Sequence, residues 1–121
     1  KIVCSLVLSY LDNPLAALRE LLRVLKPNGT MIISSLKPQN DLSLIYRNFV
    51  DTSESEEEIA EGRLLLSNAG RIRLKESEGR YQFFSKTELI AMLTTIGLRS
   101  VEGCATFGNQ AFISKGIKGL K

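Results

Sequence analysis

The sequence predicts an α/β fold, a largely parallel sheet with helices packed on its faces and a helical insert in its middle. Three observations predict it. A strand, helix, strand pattern fills residues 2 to 36, a capping box at Ser85-Lys86-Thr87-Glu88 opens a later helix, and two strand-like runs flank Gly108-Asn109.

Residues 2 to 8 are nearly continuously apolar and rich in Val, Ile and Leu, as in a strand buried on both faces of a parallel sheet, with Ser9, Tyr10 and Asp12 at its polar end. Asn13-Pro14 starts a helix, with Asn13 as N-cap and Pro14 at the first helical position, where its missing N–H costs nothing. Leu15, Leu18, Leu22 and Leu25 form one stripe facing a sheet. Pro27-Asn28-Gly29 stops that helix, and Thr30 to Ser35 forms a second buried strand ending at Lys37-Pro38. Together these make one right-handed βαβ unit with parallel strands.

Residues 39 to 82 differ in character and read as an inserted helical cap. Asp41 can cap a short helix carrying Leu42, Ile45, Tyr46 and Phe49. A second helix starts at Ser53 or Glu54 and runs into the low seventies, with Ile59, Leu65, Leu66, Ala69 and Ile72 at helical period and Gly62 and Gly70 as weak points. Arg71 to Lys75 alternates and also fits a short strand. Beyond the insert, Leu89, Met92, Leu93 and Ile96 follow the capping box, and Gly97 suits the left-handed residue that ends a helix. Leu98 to Phe107 and Gln110 to Lys115 form a closing antiparallel hairpin.

Composition narrows the chemistry. The 121 residues, 44% hydrophobic and 24% charged, describe one ordinary soluble domain. There is no histidine, which excludes Ser-His and Cys-His nucleophile pairs and His-containing zinc sites, and no metal site is expected. The apolar stretches reach about ten residues, short of the roughly 20 that span a bilayer, so no membrane is expected. The net charge of +3 is scattered without an aromatic-interleaved basic patch, so no nucleic acid is expected. The one strong charge run is acidic, six carboxylates from Asp51 to Glu61, and suits the first turns of a helix. Cys4 and Cys104 lie far apart without neighbouring ligands and read as buried free thiols of a cytoplasmic protein. The start at Lys1, directly in an apolar run, reads as a start inside an element of a larger fold.

In an open α/β sheet, ligands lie beyond the carboxyl ends of the strands. The candidates there are Cys4, Ser5, Leu8, Ser9 and Tyr10 on the first strand and Ser34, Ser35 and Lys37 on the second. The simpler reading of Ser5 and Ser34 is hydroxyls satisfied by local backbone, that of Lys37 a solvated loop lysine, and that of Tyr46 and Phe49 plain packing. Polar Ser9 and Tyr10 at the exit of a buried strand have fewer structural reasons to be there.

The strings Val3-Cys4-Ser5-Leu6-Val7-Leu8-Ser9-Tyr10-Leu11, Arg23-Val24-Leu25-Lys26-Pro27-Asn28-Gly29 and Met31-Ile32-Ile33-Ser34 resemble the part of class I S-adenosylmethionine-dependent methyltransferases that follows their cofactor-binding half. Phe84-Ser85 with Glu88-Leu89, Ile96-Gly97-Leu98 and Gly108-Asn109-Gln110-Ala111 resemble the same family's next helix and closing hairpin. The resemblance implies a partial Rossmann-like methyltransferase sheet, strands four to seven, with the last strand antiparallel between the fifth and sixth. It implies S-adenosyl-L-methionine as cofactor, with Cys4, Ser5 and Leu8 beside its methionine part. It also places Ser9 and Tyr10 at a small-molecule methyl acceptor as the catalytic pair, with Ser34, Lys37, Tyr46 and Phe49 as further substrate contacts and the helical insert as a roof.

The departures are informative. The family's glycine-rich loop and the acidic residue that holds the ribose have no counterpart here, and Gly103-Cys104-Ala105 is no substitute. Many relatives carry His where this chain has Ser9, so no His-assisted deprotonation is implied there. The chain thus reads as the substrate half of the site. The alternative is a noncatalytic α/β module that does not bind S-adenosylmethionine on its own and forms a homodimer through an exposed first strand. A nicotinamide-dependent dehydrogenase shares the sheet but predicts neither the Arg-Val-Leu-Lys-Pro-x-Gly string nor the closing hairpin.

Overall fold

A computed structural model describes residues 1–120. The chain divides into two compact units, one formed by Lys1–Pro38 with Gln82–Lys121 and the other by Gln39–Tyr81.

The first unit is a four-stranded sheet. Its strands are β1 (Ile2–Ser5), β2 (Thr30–Leu36), β3 (Arg99–Thr106) and β4 (Ala111–Ile117), in the order β1-β2-β4-β3. β1 and β2 are parallel, and β4 is antiparallel to both neighbours. The parallel pair is joined by helix α1 (Pro14–Val24), as the βαβ pattern predicts. Asn13 caps that helix by accepting the Ala16 amide at 3.0 Å, with Pro14 at its start. At its other end Lys118 Nζ donates to the carbonyls of Leu22 and Leu25, both at 2.7 Å, and so satisfies acceptors left open by the helix terminus.

Two predicted features of the first strand are corrected. It ends at Ser5 rather than Leu8, and a 3₁₀ turn follows over Leu8–Tyr10. Leu6 breaks the strand by adopting φ 57°. Nor is the strand buried on both faces: it is the edge of the sheet, and Val3 is 61% exposed. The reason is coverage from one side only. Leu18 and Leu25 at the end of α1, Met31 and Ile33 of β2, and Leu89, Leu93 and Leu98 in and after a later helix form one cluster with Leu8 and Phe84. Register puts Ile2 and Cys4 on the side of Met31 and Ile33, whereas Val3 and Ser5 share the opposite face with Ile32 and Ser34.

The second unit holds α2 (Ser43–Thr52) and α3 (Glu56–Ser77), packed together. Asp41 serves α2 from one residue outside the cap position: its carboxylate accepts the Ser43 amide at 3.1 Å and the Ser43 hydroxyl. Those bonds hold its carboxyl below its ordinary pKa of 3.8, the hydroxyl contributing most. Ser55 caps α3, and Glu56, Glu57 and Glu58 of the acidic run occupy its first turn. The helix continues through Arg71 to Lys75, so the alternation there is not a strand, and Leu65 lies exposed beside the buried line of Gly62 and Ala69.

The remaining helix of the first unit is α4 (Lys86–Thr95), and both bonds of its predicted capping box are present, Ser85 Oγ with the Glu88 amide and Glu88 Oε1 with the Ser85 amide, each at 3.1 Å. Gly97 takes φ 101° after it.

Candidate functional site

The carboxyl ends of the parallel strands β1 and β2 bring two hydroxyls together. Ser5 and Ser34 are register partners on the face away from the helices, and their Oγ atoms lie 3.0 Å apart. The partner of each is thus a side chain, not local backbone alone. The Leu6 amide donates to both the carbonyl oxygen of Ser34, at 3.1 Å, and its Oγ, at 3.2 Å. Around this pair lies a cavity of about 310 Å³ lined by Ser5 and Leu6 from the end of β1, Ser34 from β2, and Thr106, Phe107, Ala111 and Ile113 from the closing hairpin. None of these side chains carries a charge. A larger hollow of about 490 Å³ on the sheet, reaching from Ile32 to Lys115 and Glu102, lies along the middle of the strands instead. In an open α/β sheet the carboxyl end is where ligands bind, which favours the smaller cavity.

The other predicted site residues separate. Cys4 follows strand alternation to the helix-covered face, away from Ser5, and partial burial pushes its thiol pKa up, against thiolate chemistry. Leu8 is a correction: its side chain is 1% exposed within the core, so that side chain cannot line a ligand surface. Ser9 is also buried, with its Oγ 3.0 Å from that of Ser35, not presented on the surface as the strand-exit reading has it. Tyr10 is 43% exposed at the end of the 3₁₀ turn, its ring edge-on to Phe83 with centroids 6.2 Å apart. Lys37 extends the end of β2, its amide donating to the Gln110 carbonyl at 2.9 Å. Tyr46 and Phe49 belong to α2 of the second unit. Cys104, expected buried, is exposed on β3, and both thiols are free.

Sequence reasoning missed Leu6 and Phe107. Leu6 and Phe107 both hold left-handed backbone, φ 57° and 53°, and no residue-type signal marks a leucine or phenylalanine for that conformation. The Ser34-Ser35 pair was visible, but only the register shows that one faces Ser5 and the other the interior.

Among the described residues no group of three or more His, Cys, Asp or Glu side chains could hold a metal ion, and no helix is long and apolar enough to cross a membrane.

A family model described as a methyltransferase domain matches residues 1–102. Among solved structures, a SAM-dependent methyltransferase of Thermotoga maritima superposes with a TM-score of 0.54 at 16% sequence identity, over 96% of this chain and 54% of its own. That likeness shows a shared fold, and this chain spans about half the length of that enzyme. No curated protein matches the chain in sequence.

Proposed function

Because the chain belongs to the methyltransferase domain family, we propose that it forms the substrate side of an S-adenosylmethionine-dependent methyltransferase, the remainder of whose site lies in further sequence of a longer chain. The observation that carries this is the uncharged cavity with its Ser5–Ser34 pair, at the strand ends where a ligand of such a sheet sits.

The residues present fit only part of the cofactor. Ser5 and Leu6 offer one hydroxyl and apolar surface, suitable beside a methyl-bearing sulfur, and no carboxylate lines the cavity to hold a ribose diol or an ammonium group. When bound, S-adenosylmethionine supplies a methyl group that leaves a sulfonium for an acceptor's lone pair, with the C–S electron pair returning to sulfur. Such a displacement depends on alignment, which fixed walls provide. Leu6, Phe107 and Ile113 offer the acceptor apolar surface, and Ser5 orients it. Tyr10, 43% exposed at the end of the 3₁₀ turn, is our candidate to orient the acceptor or to relay the proton it loses, the phenol oxygen accepting that proton as its own passes to solvent. Two free thiols are in keeping with a cytoplasmic setting.

Titrating S-adenosylhomocysteine into the isotopically labelled chain tests this division. Amide shifts from Ser5 to Tyr10 with a dissociation constant of about 1 mM or weaker are expected. Micromolar binding would put the whole cofactor site in this chain, and shifts confined to other segments, or none, would remove the strand ends from it.

The edge position of β1 favours a second reading, self-association. The Leu6 amide points to Ser34 of β2, so alternation turns the backbone groups of Val3 and Ser5 outward. Antiparallel pairing of two copies about Val3 then matches Val3 with Val3 and Ser5 with Lys1, which leaves no mismatch of faces. Light scattering should find a dimer that Val3→Lys converts to a monomer; a monomeric parent chain would overturn this.

A further inference from the structure

We propose, on the basis of the methyltransferase reading, that the cavity at the strand ends binds the methyl acceptor and selects an uncharged, mainly apolar molecule that carries, besides its nucleophilic atom, one hydrogen-bond-accepting atom, which the Ser5 hydroxyl engages. The direction of the hydroxyl pair follows from counting protons. Each serine hydroxyl has one proton to donate and two lone pairs with which to accept. Ser34 Oγ already accepts the Leu6 amide, and its only other partner among the described residues is Ser5 Oγ. Ser34 is buried at 8% exposure, whereas Ser5 is exposed.

If Ser5 donated to Ser34, the Ser34 proton, on the more buried of the two oxygens, would have no acceptor among the described residues, which is the costlier arrangement. Ser34 therefore donates to Ser5, and the proton of Ser5 is the one turned to the cavity. The relay from the Leu6 amide through Ser34 to Ser5 polarises that last hydroxyl and makes it a better donor than an isolated serine. Its natural partner is a carbonyl or ether lone pair of the acceptor, apart from the atom that receives the methyl group.

The walls set the rest of the specificity. A charged ligand would lose hydration here and meet no countercharge, because every lining residue is neutral. At about 310 Å³ the cavity lies at the small end of ligand sites, room for one ring with a short substituent. Leu6 and Phe107, both non-glycine residues with positive φ, stand among its walls, and strained backbone of that kind concentrates at ligand-binding positions.

Amide-detected titrations with three one-ring probes test the proposal without any cofactor. Acetophenone should shift the amides of Leu6, Ser34 and Phe107, while benzoate should bind those positions at least about tenfold more weakly for want of a countercharge. Ser5→Ala should weaken acetophenone about fivefold, to the level of toluene, which offers no accepting atom, and Ser5→Thr should restore it. Benzoate binding as well as acetophenone, no acetophenone shift in the cavity, or Ser5→Ala binding like the parent chain would each overturn the proposal. Because no probe involves methyl transfer, failure of the methyltransferase reading would show separately, as acetophenone binding intact in a longer chain that does not bind S-adenosylhomocysteine.

Discussion

Ser9 Oγ lies 3.0 Å from Ser35 Oγ in the interior of the first unit, and the two hydroxyls have different duties. Ser35 donates its proton to the Leu36 carbonyl at 2.8 Å and accepts the Phe84 amide at 3.2 Å, so Ser9 is the donor of the pair. The Ser9 carbonyl in turn accepts the Gln82 amide. This cluster ties the 3₁₀ turn, the end of β2 and the approach to α4 together. Removing Ser35 orphans three buried groups, whereas removing Ser9 only frees a lone pair. Ser35→Ala should therefore destabilise the chain by about 2–3 kcal/mol and Ser9→Ala by about 1 kcal/mol or less in denaturant unfolding. Equal losses would contradict the assigned directions.

Leu6 leaves β1 at φ 57° with 41% of its surface exposed, so little burial offsets its backbone strain. Leu6→Gly removes the clash of the β-carbon and should raise stability by about 0.5–1 kcal/mol. The same change strips a wall from the cavity and should weaken acetophenone binding. A thermal midpoint that falls would show that the side chain is held by packing.

Two glycines of α3 should respond in opposite directions. A β-carbon at Gly62 would fall on Val50 Cγ2 and stand 3.0 Å from Phe49 Cδ1, while one at Gly70 would meet nothing within 4 Å. Gly70→Ala should gain about 1 kcal/mol of helix propensity. Gly62→Ala should lose stability despite the same propensity, because α2 must move away. Helical circular dichroism through thermal unfolding reads both, and stabilisation by Gly62→Ala would contradict the close packing.

Much of the fold was legible because local rules and global packing agree. Asn13-Pro14, the Ser85–Glu88 box and Gly97 name their own positions, and the leucine period of α1 finds its core. The first strand was misread because apolar residues alone do not tell a central strand from an edge. Val3 looks like a core residue until the register shows that the helices cover one face only, and Val7, past the strand end, is exposed before the 3₁₀ turn. For the site, Ser5 and Ser34 were nameable as strand-end residues, yet their pairing is a property of register. Ser9 and Leu8 were drawn into the site by nearness in sequence, and the 3₁₀ turn carries both into the interior.

Asp41 gives a pH-dependent signal in the helical unit. Its carboxyl pKa in the folded chain lies below the ordinary value of 3.8, so its bonds to Ser43 contribute fully above that value and are lost as pH falls through the lower, folded one. The Ser43 amide shift should titrate with a midpoint below 3.8, and Asp41→Asn should abolish the titration. A midpoint at or above 3.8 would mean that the bonds do not favour the ionised form.

Methyl transfer from S-adenosylmethionine by the longest natural chain containing these 121 residues tests the central claim most directly. The account predicts transfer to a neutral one-ring acceptor, competitive inhibition by S-adenosylhomocysteine, and a loss of at least about 100-fold in kcat on Tyr10→Phe, the size expected of a positioned proton-transfer group. A folded chain of that length that neither binds S-adenosylhomocysteine nor transfers a methyl group would contradict it.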